Sequence, residues 1–121
     1  MASAAPTRRN QRRPASVVFA VLLVAQALAL YWPRVDIQGP VTWSDKVVHV
    51  LLFLLPTVAG LLAGFRPPYV VGLLAVHAPV SELIQHYFLP HRSGDVWDAV
   101  ADLSGVVVGV TVVVVGRARR R

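Results

Sequence analysis

The chain has 121 residues, 55% of them hydrophobic and only 15% charged, with a formal net charge of +6 and no cysteine. So few charges cannot cover a soluble core of this size with polar surface, and the lack of cysteine excludes disulfides and thiolate chemistry. The positive balance comes mostly from arginines beside apolar runs, where anionic lipid headgroups suffice as partners, so nucleic-acid binding is not expected.

Residues 1–14, rich in Arg, Ala and Pro, are expected to form a disordered, basic cytoplasmic N-terminus. Four apolar segments follow at about 15–32, 47–64, 69–89 and 98–116, and a basic tail covers 117–121. At ~1.5 Å per residue each segment is long enough to cross a hydrocarbon core of ~30 Å. The expected fold class is all-α, an integral membrane four-helix bundle forming a single domain over 15–116. The first segment has a basic start and small residues at Ala25, Ala27 and Ala29, as a secretory signal would. Its apolar run is long for such a signal, however, and continues through Tyr31 and Trp32 like an aromatic membrane exit, so it is read as the first span. Gln26 in the first span and His77 in the third stand apart from the other polar residues and are expected to hydrogen-bond between helices.

Arg8, Arg9, Arg12 and Arg13 precede the first span, Arg66 lies between the second and third, and Arg117, Arg119, Arg120 and Arg121 follow the fourth. Nine of the twelve basic residues thus share one side, and Arg34, Lys46 and Arg92 lie on the other. The positive-inside rule then predicts a multi-pass cell-membrane protein with both termini cytoplasmic and loops 33–46 and 90–97 outside. All six acidic residues, Asp36, Asp45, Glu82, Asp95, Asp98 and Asp102, fall on the outer side. The lipid bilayer is the first partner, and a homo-oligomer remains open. Four short spans without an internal repeat do not suggest a transporter.

Helical geometry gathers these residues further. At ~100° per residue, Asp45, His49, Pro56, Ala59, Gly60 and Ala63 share one face of the second span. Ala78, Pro79, Glu82, Gln85 and His86 form a stripe on the third, and Asp95, Asp98, Asp102, Gly105, Gly109 and Gly116 one on the fourth. Small residues at Gly60/Gly64 and Gly105/Gly109 predict close helix approach below the polar ends. Pro79 predicts a bend one turn before Glu82, a carboxylate ~10 Å inside the outer end by helical rise, which must be paired, protonated or wet.

The pairs Asp45/His49, Glu82/His86 and Asp98/Asp102 each lie four residues apart, so both members can reach one point. His49, Glu82, His86 and Asp102 are candidate ligands for a divalent metal such as zinc, which accepts imidazole and carboxylate donors. Alternatively, Lys46, Arg92 and the histidines hold the phosphate of a lipid-linked envelope precursor, with a carboxylate as general base. Glu82, His49 and Asp102 are the candidate catalytic residues. Ser81, beside Glu82, is the only hydroxyl in the right place, though serine in a membrane helix commonly serves packing. A structural reading stands beside these: Asp45, Asp95 and Asp98 at helix starts cap or pair at the surface, and the deeper residues form an ion-pair network that fixes assembly.

The three blocks are Asp45-Lys46-Val47-Val48-His49, then Ser81-Glu82-Leu83-Ile84-Gln85, then Arg92, Asp98 and Gly105. In this order and on these spans, they resemble the VanZ-like family of small bacterial membrane proteins, named after an accessory factor in teicoplanin resistance. The similarity covers roughly residues 45–109, with one departure: Asp102 stands where the family usually has Asn. The resemblance implies a bacterial cell-envelope protein; together with the outer polar blocks, Asp45, Lys46, His49, Ser81, Glu82, Gln85, Arg92, Asp98 and Asp102 are the candidate binding residues. It further implies a link to glycopeptide susceptibility, with an envelope precursor or the glycopeptide as partner. It does not by itself extend antibiotic resistance to this chain.

Overall fold

The structure, a computed structural model, describes residues 2–5, 7–32, 43–89 and 95–121. It consists of four helices, α1 (Arg8–Tyr31), α2 (Trp43–Leu62), α3 (Pro67–Phe88) and α4 (Val96–Arg119), with no strand among the described residues. All four are long and apolar enough to cross a membrane. The chain is an all-α bundle of a multi-pass membrane protein. Apolar side chains such as Val21, Leu55, Leu73 and Val112 are exposed on its flanks, where lipid rather than water is the natural solvent.

The helix ends differ from the sequence expectation at the basic flanks. α1 begins at Arg8, so residues 8–14, expected to be disordered, form its first two turns. Arg and Gln are good helix formers, and Pro14 removes only the bond to the exposed Asn10 carbonyl. The Ser16 hydroxyl donates to the Arg12 carbonyl at 2.8 Å in the same turns. α4 likewise continues past residue 116 to Arg119. Between α2 and α3 the chain reverses tightly: Gly64 takes a left-handed φ of 88°, and the Phe65 N–H reaches back to the Gly60 carbonyl at 3.3 Å. Pro67, which needs no partner for an N–H, then starts α3.

α2 packs against all three other helices, whereas the described backbones of α1 and α4 stay more than 8 Å apart between Cα atoms. α2 and α4 run parallel and form the largest contact. Glycines make that contact possible. A methyl group on Gly105 would overlap the Val50 carbonyl, and one on Gly109 would sit 2.9 Å from the Thr57 side chain. Of the other pair in the expected pattern, Gly60 also sits in close packing, a methyl group there falling 2.9 Å from Phe19 and 3.0 Å from Val70, whereas Gly64 does different work. Gly64 ends α2, and Gly116 on α4 has open space around its Cβ position. Phe53, Leu30, Leu74, Ala78 and Val106 fill the interior.

Proline also shapes the packing of α1. Pro56 lacks the N–H that would bond the Leu52 carbonyl in an unbroken helix. Gln26 supplies the missing donor from α1, with Nε2 at 2.7 Å from that carbonyl. The Gln26 Oε1 faces His77 Nδ1 at 3.1 Å, and Tyr31 Oη lies 2.6 Å from His77 Nε2. Gln26 and His77 therefore bond between helices as expected, and Tyr31, read from sequence only as part of an aromatic exit, joins them. Gln85 donates to the Leu30 carbonyl at 2.7 Å, tying α3 to the same end of α1.

Candidate functional site

The polar residues collect where α2 and α4 begin and α3 ends. His49 lies one turn beyond Asp45, and Asp102 one turn beyond Asp98, so the parallel helices bring two pairs side by side. His49 Nδ1 is 2.8 Å from Asp102 Oδ1, and Lys46 Nζ pairs with Asp98 Oδ1 and, at 3.2 Å, with Asp95 Oδ2. α3 contributes Glu82, whose Oε1 lies 4.0 Å from His49 Nδ1. The other oxygen, Oε2, accepts the Asp95 backbone N–H at 3.1 Å. His49 Nε2 points toward Asp98 Oδ2 at 3.8 Å.

Burial at this level is nearly complete. His49 is 6% exposed, Glu82 7%, Asp98 8% and Asp102 0%. Among the described residues, two carboxylate oxygens, Glu82 Oε1 and Asp102 Oδ2, are buried without a hydrogen-bond partner. Buried polar atoms in folded proteins are nearly always paired, and an unpaired carboxylate oxygen is among the costliest exceptions. At the rim, Asp95 caps α4: its Oδ1 accepts the Trp97 N–H at 3.0 Å. That bond, with help from Lys46, holds the Asp95 carboxyl below the usual carboxylate range.

Other residues named from sequence separate from this group. His86 is exposed and stacks edge-on against Tyr87, so it does not converge with Glu82 despite the four-residue spacing. The face of α3 that turns inward is Leu74, Ala78, Ser81, Glu82 and Gln85, which leaves Pro79 and His86 outside it. The Ser81 hydroxyl donates within its own helix to the Ala78 carbonyl at 2.8 Å, and the Gln85 amide is engaged by Leu30. Asp45 is half-buried and has a carboxylate oxygen within 4.8 Å of donor atoms on His49 and Asp98. Arg92 lies outside the described residues, as do Arg34, Asp36 and His91.

Among the described residues, two sets of side chains can hold a metal ion by proximity: Asp45, His49 and Asp98, and, all buried, His49, Glu82 and Asp102. For the phosphate alternative, the one lysine here is already taken up by two aspartates, and Arg92, named for the same role, lies outside the described residues. Among the described residues the site is therefore an acceptor of positive charge. Comparison with protein-family profiles, curated proteins and solved structures gives no match to this chain.

Proposed function

We propose that this chain is a VanZ-like integral membrane protein of the bacterial cell envelope. Both termini are cytoplasmic, and the polar cluster at the start of α2 and α4 faces outward, where it binds or modifies a cell-envelope molecule and so affects glycopeptide (teicoplanin) susceptibility. One observation carries the reading. The three sequence blocks, far apart in the chain, meet through His49, Glu82 and Asp102, with two buried carboxylate oxygens still lacking a partner. Ionisable groups inside a membrane bundle are costly, and their retention usually marks function.

A second reading draws on the ion pairs. Lys46 bridges to Asp95 and Asp98, and Glu82 holds the Asp95 N–H, so the same groups join α2, α3 and α4. A network serving packing alone, however, should satisfy its own atoms, because a half-satisfied polar network is worse than an apolar contact. The orphaned oxygens favour a site.

Glu82→Gln separates the two readings. The amide keeps the shape and can still accept the Asp95 N–H, but it removes the charge. Under the functional reading the variant accumulates in membranes at wild-type level and loses its effect on teicoplanin susceptibility. Under the packing reading protein level falls and the phenotype follows it. Wild-type abundance with a full phenotype removes Glu82 from the site.

A further inference from the structure

We infer that His49, Glu82 and Asp102 bind one divalent first-row metal ion, zinc foremost, between α2, α3 and α4. The inference rests on the reading of this cluster as the functional site and gives that site a ligand. One donor comes from each of three side chains on three different helices, and the donor atoms lie within 4.8 Å of one another. Bonds of ~2.0–2.1 Å in a tetrahedral site set ligand atoms ~3.4 Å apart, so rotamer shifts of about 1 Å close the set.

The partnerless atoms point the same way. Glu82 Oε1 and Asp102 Oδ2 are orphaned on residues 7% and 0% exposed, and Glu82 Oε1 lies 4.0 Å from the imidazole nitrogen that Asp102 already touches. A cation would balance the charge of the cluster when both carboxylates are ionised. Lys46 is engaged by Asp95 and Asp98, and a protonated His49 would neutralise only one of Glu82 and Asp102. A dication neutralises both and takes the imidazole as a neutral ligand. The nitrogen donor argues against magnesium and calcium, which prefer all-oxygen sets, and the absence of sulfur argues against soft ions.

The surroundings orient the donors as metal ligands are oriented elsewhere. The Asp95 N–H holds Glu82 Oε2 and leaves Oε1 free, and Asp98 Oδ2 faces the far nitrogen of His49 at 3.8 Å. Three protein donors leave a fourth position for water or for an oxygen of an envelope molecule, such as a carboxylate, phosphate or carbonyl group.

The test is titration of the purified full-length protein, stripped with chelator and held in detergent or nanodiscs, with zinc and with cobalt(II). Cobalt reports its coordination number through its visible absorption. One ion per chain is expected, with weaker binding by at least about 100-fold in Glu82→Gln, Asp102→Asn and His49→Gln, and wild-type binding in His86→Ala. Each variant is checked for monodispersity and helicity, and if one fails to fold the other two decide. Failure of the wild type to bind an ion stoichiometrically overturns the metal site, as does wild-type affinity in the folded ligand variants. If no metal binds but Glu82→Gln still abolishes the envelope phenotype, the metal is wrong and the site reading stands. If metal binds as expected and the phenotype is untouched, the reverse holds.

Discussion

Asp95 makes three connections at once: its backbone N–H goes to Glu82, one carboxylate oxygen to the Trp97 N–H, and the other to Lys46. Because these contacts hold its carboxyl below the usual range, the stabilisation is fully present above the unfolded value of ~3.9 and is lost as pH falls through the lower folded value. The thermal stability of the wild type over Asp95→Ala, measured in detergent, should therefore be constant from neutral pH to about 5 and shrink below about 4. A gap that already closes near neutral pH would contradict this. The residues converging here were largely legible as a pattern. His49, Glu82 and Asp102 stand out because each is ionisable within an apolar run. What spacing did not reveal is the fine rotation of α3. A stripe containing Glu82, Gln85 and His86 spans a wide arc, and which edge turns inward depends on how α3 meets α2 and α4. The answer is Ser81 and Gln85 rather than His86. Nor does local sequence reveal that Gln85 is occupied by a carbonyl of α1.

The α2–α4 contact depends on the absence of side chains at two positions. Gly105→Ala sets a methyl group against the Val50 carbonyl, and backbone cannot yield as a flexible side chain can. The helices must separate, at a cost of about 1–3 kcal/mol, and the His49–Asp102 pair one turn above should loosen with them. Gly116→Ala, with nothing within 4 Å, should not destabilise and should gain up to about 1 kcal/mol from helix propensity. Unfolding in detergent monitored by helicity would distinguish the two variants, and equal effects would mean that glycine acts only through helix propensity. The glycine repeat on α4 could be seen in sequence as a packing face. The separate role of Gly64 could not, since a spacing of four residues does not show where a helix turns.

All four helices were anticipated from apolar run length, because membrane spans require ~20 apolar residues in a row and few other folds do. The errors lie at the basic ends, where helix propensity carries α1 and α4 beyond the apolar runs. Arginines from both flanks meet at the end of α2. Arg117 donates to the Leu61 carbonyl at 3.1 Å, and the Arg12 guanidinium lies over Gly64. The regions before α1 and after α4 thus share one end of the bundle, opposite the His49–Asp102 cluster. Under the proposed orientation, reporter fusions after Arg66 should read as cytoplasmic and fusions after Arg92 as external. The inverted result would put the cluster on the cytoplasmic side and remove the envelope function with it.

The bond from Gln26 to the carbonyl freed by Pro56 has a consequence in time. Synthesis delivers α1 to the bilayer first, carrying an amide whose partners, Leu52 and His77, have not yet been made. An interhelical hydrogen bond of this kind is worth ~0.6–2 kcal/mol in a membrane, so until α3 arrives the nascent first helix is poorly satisfied in lipid. Its two bonds therefore form in sequence, the first once α2 is made and the second only after the next fifty or so residues, a few seconds to ten at ~5–20 residues per second.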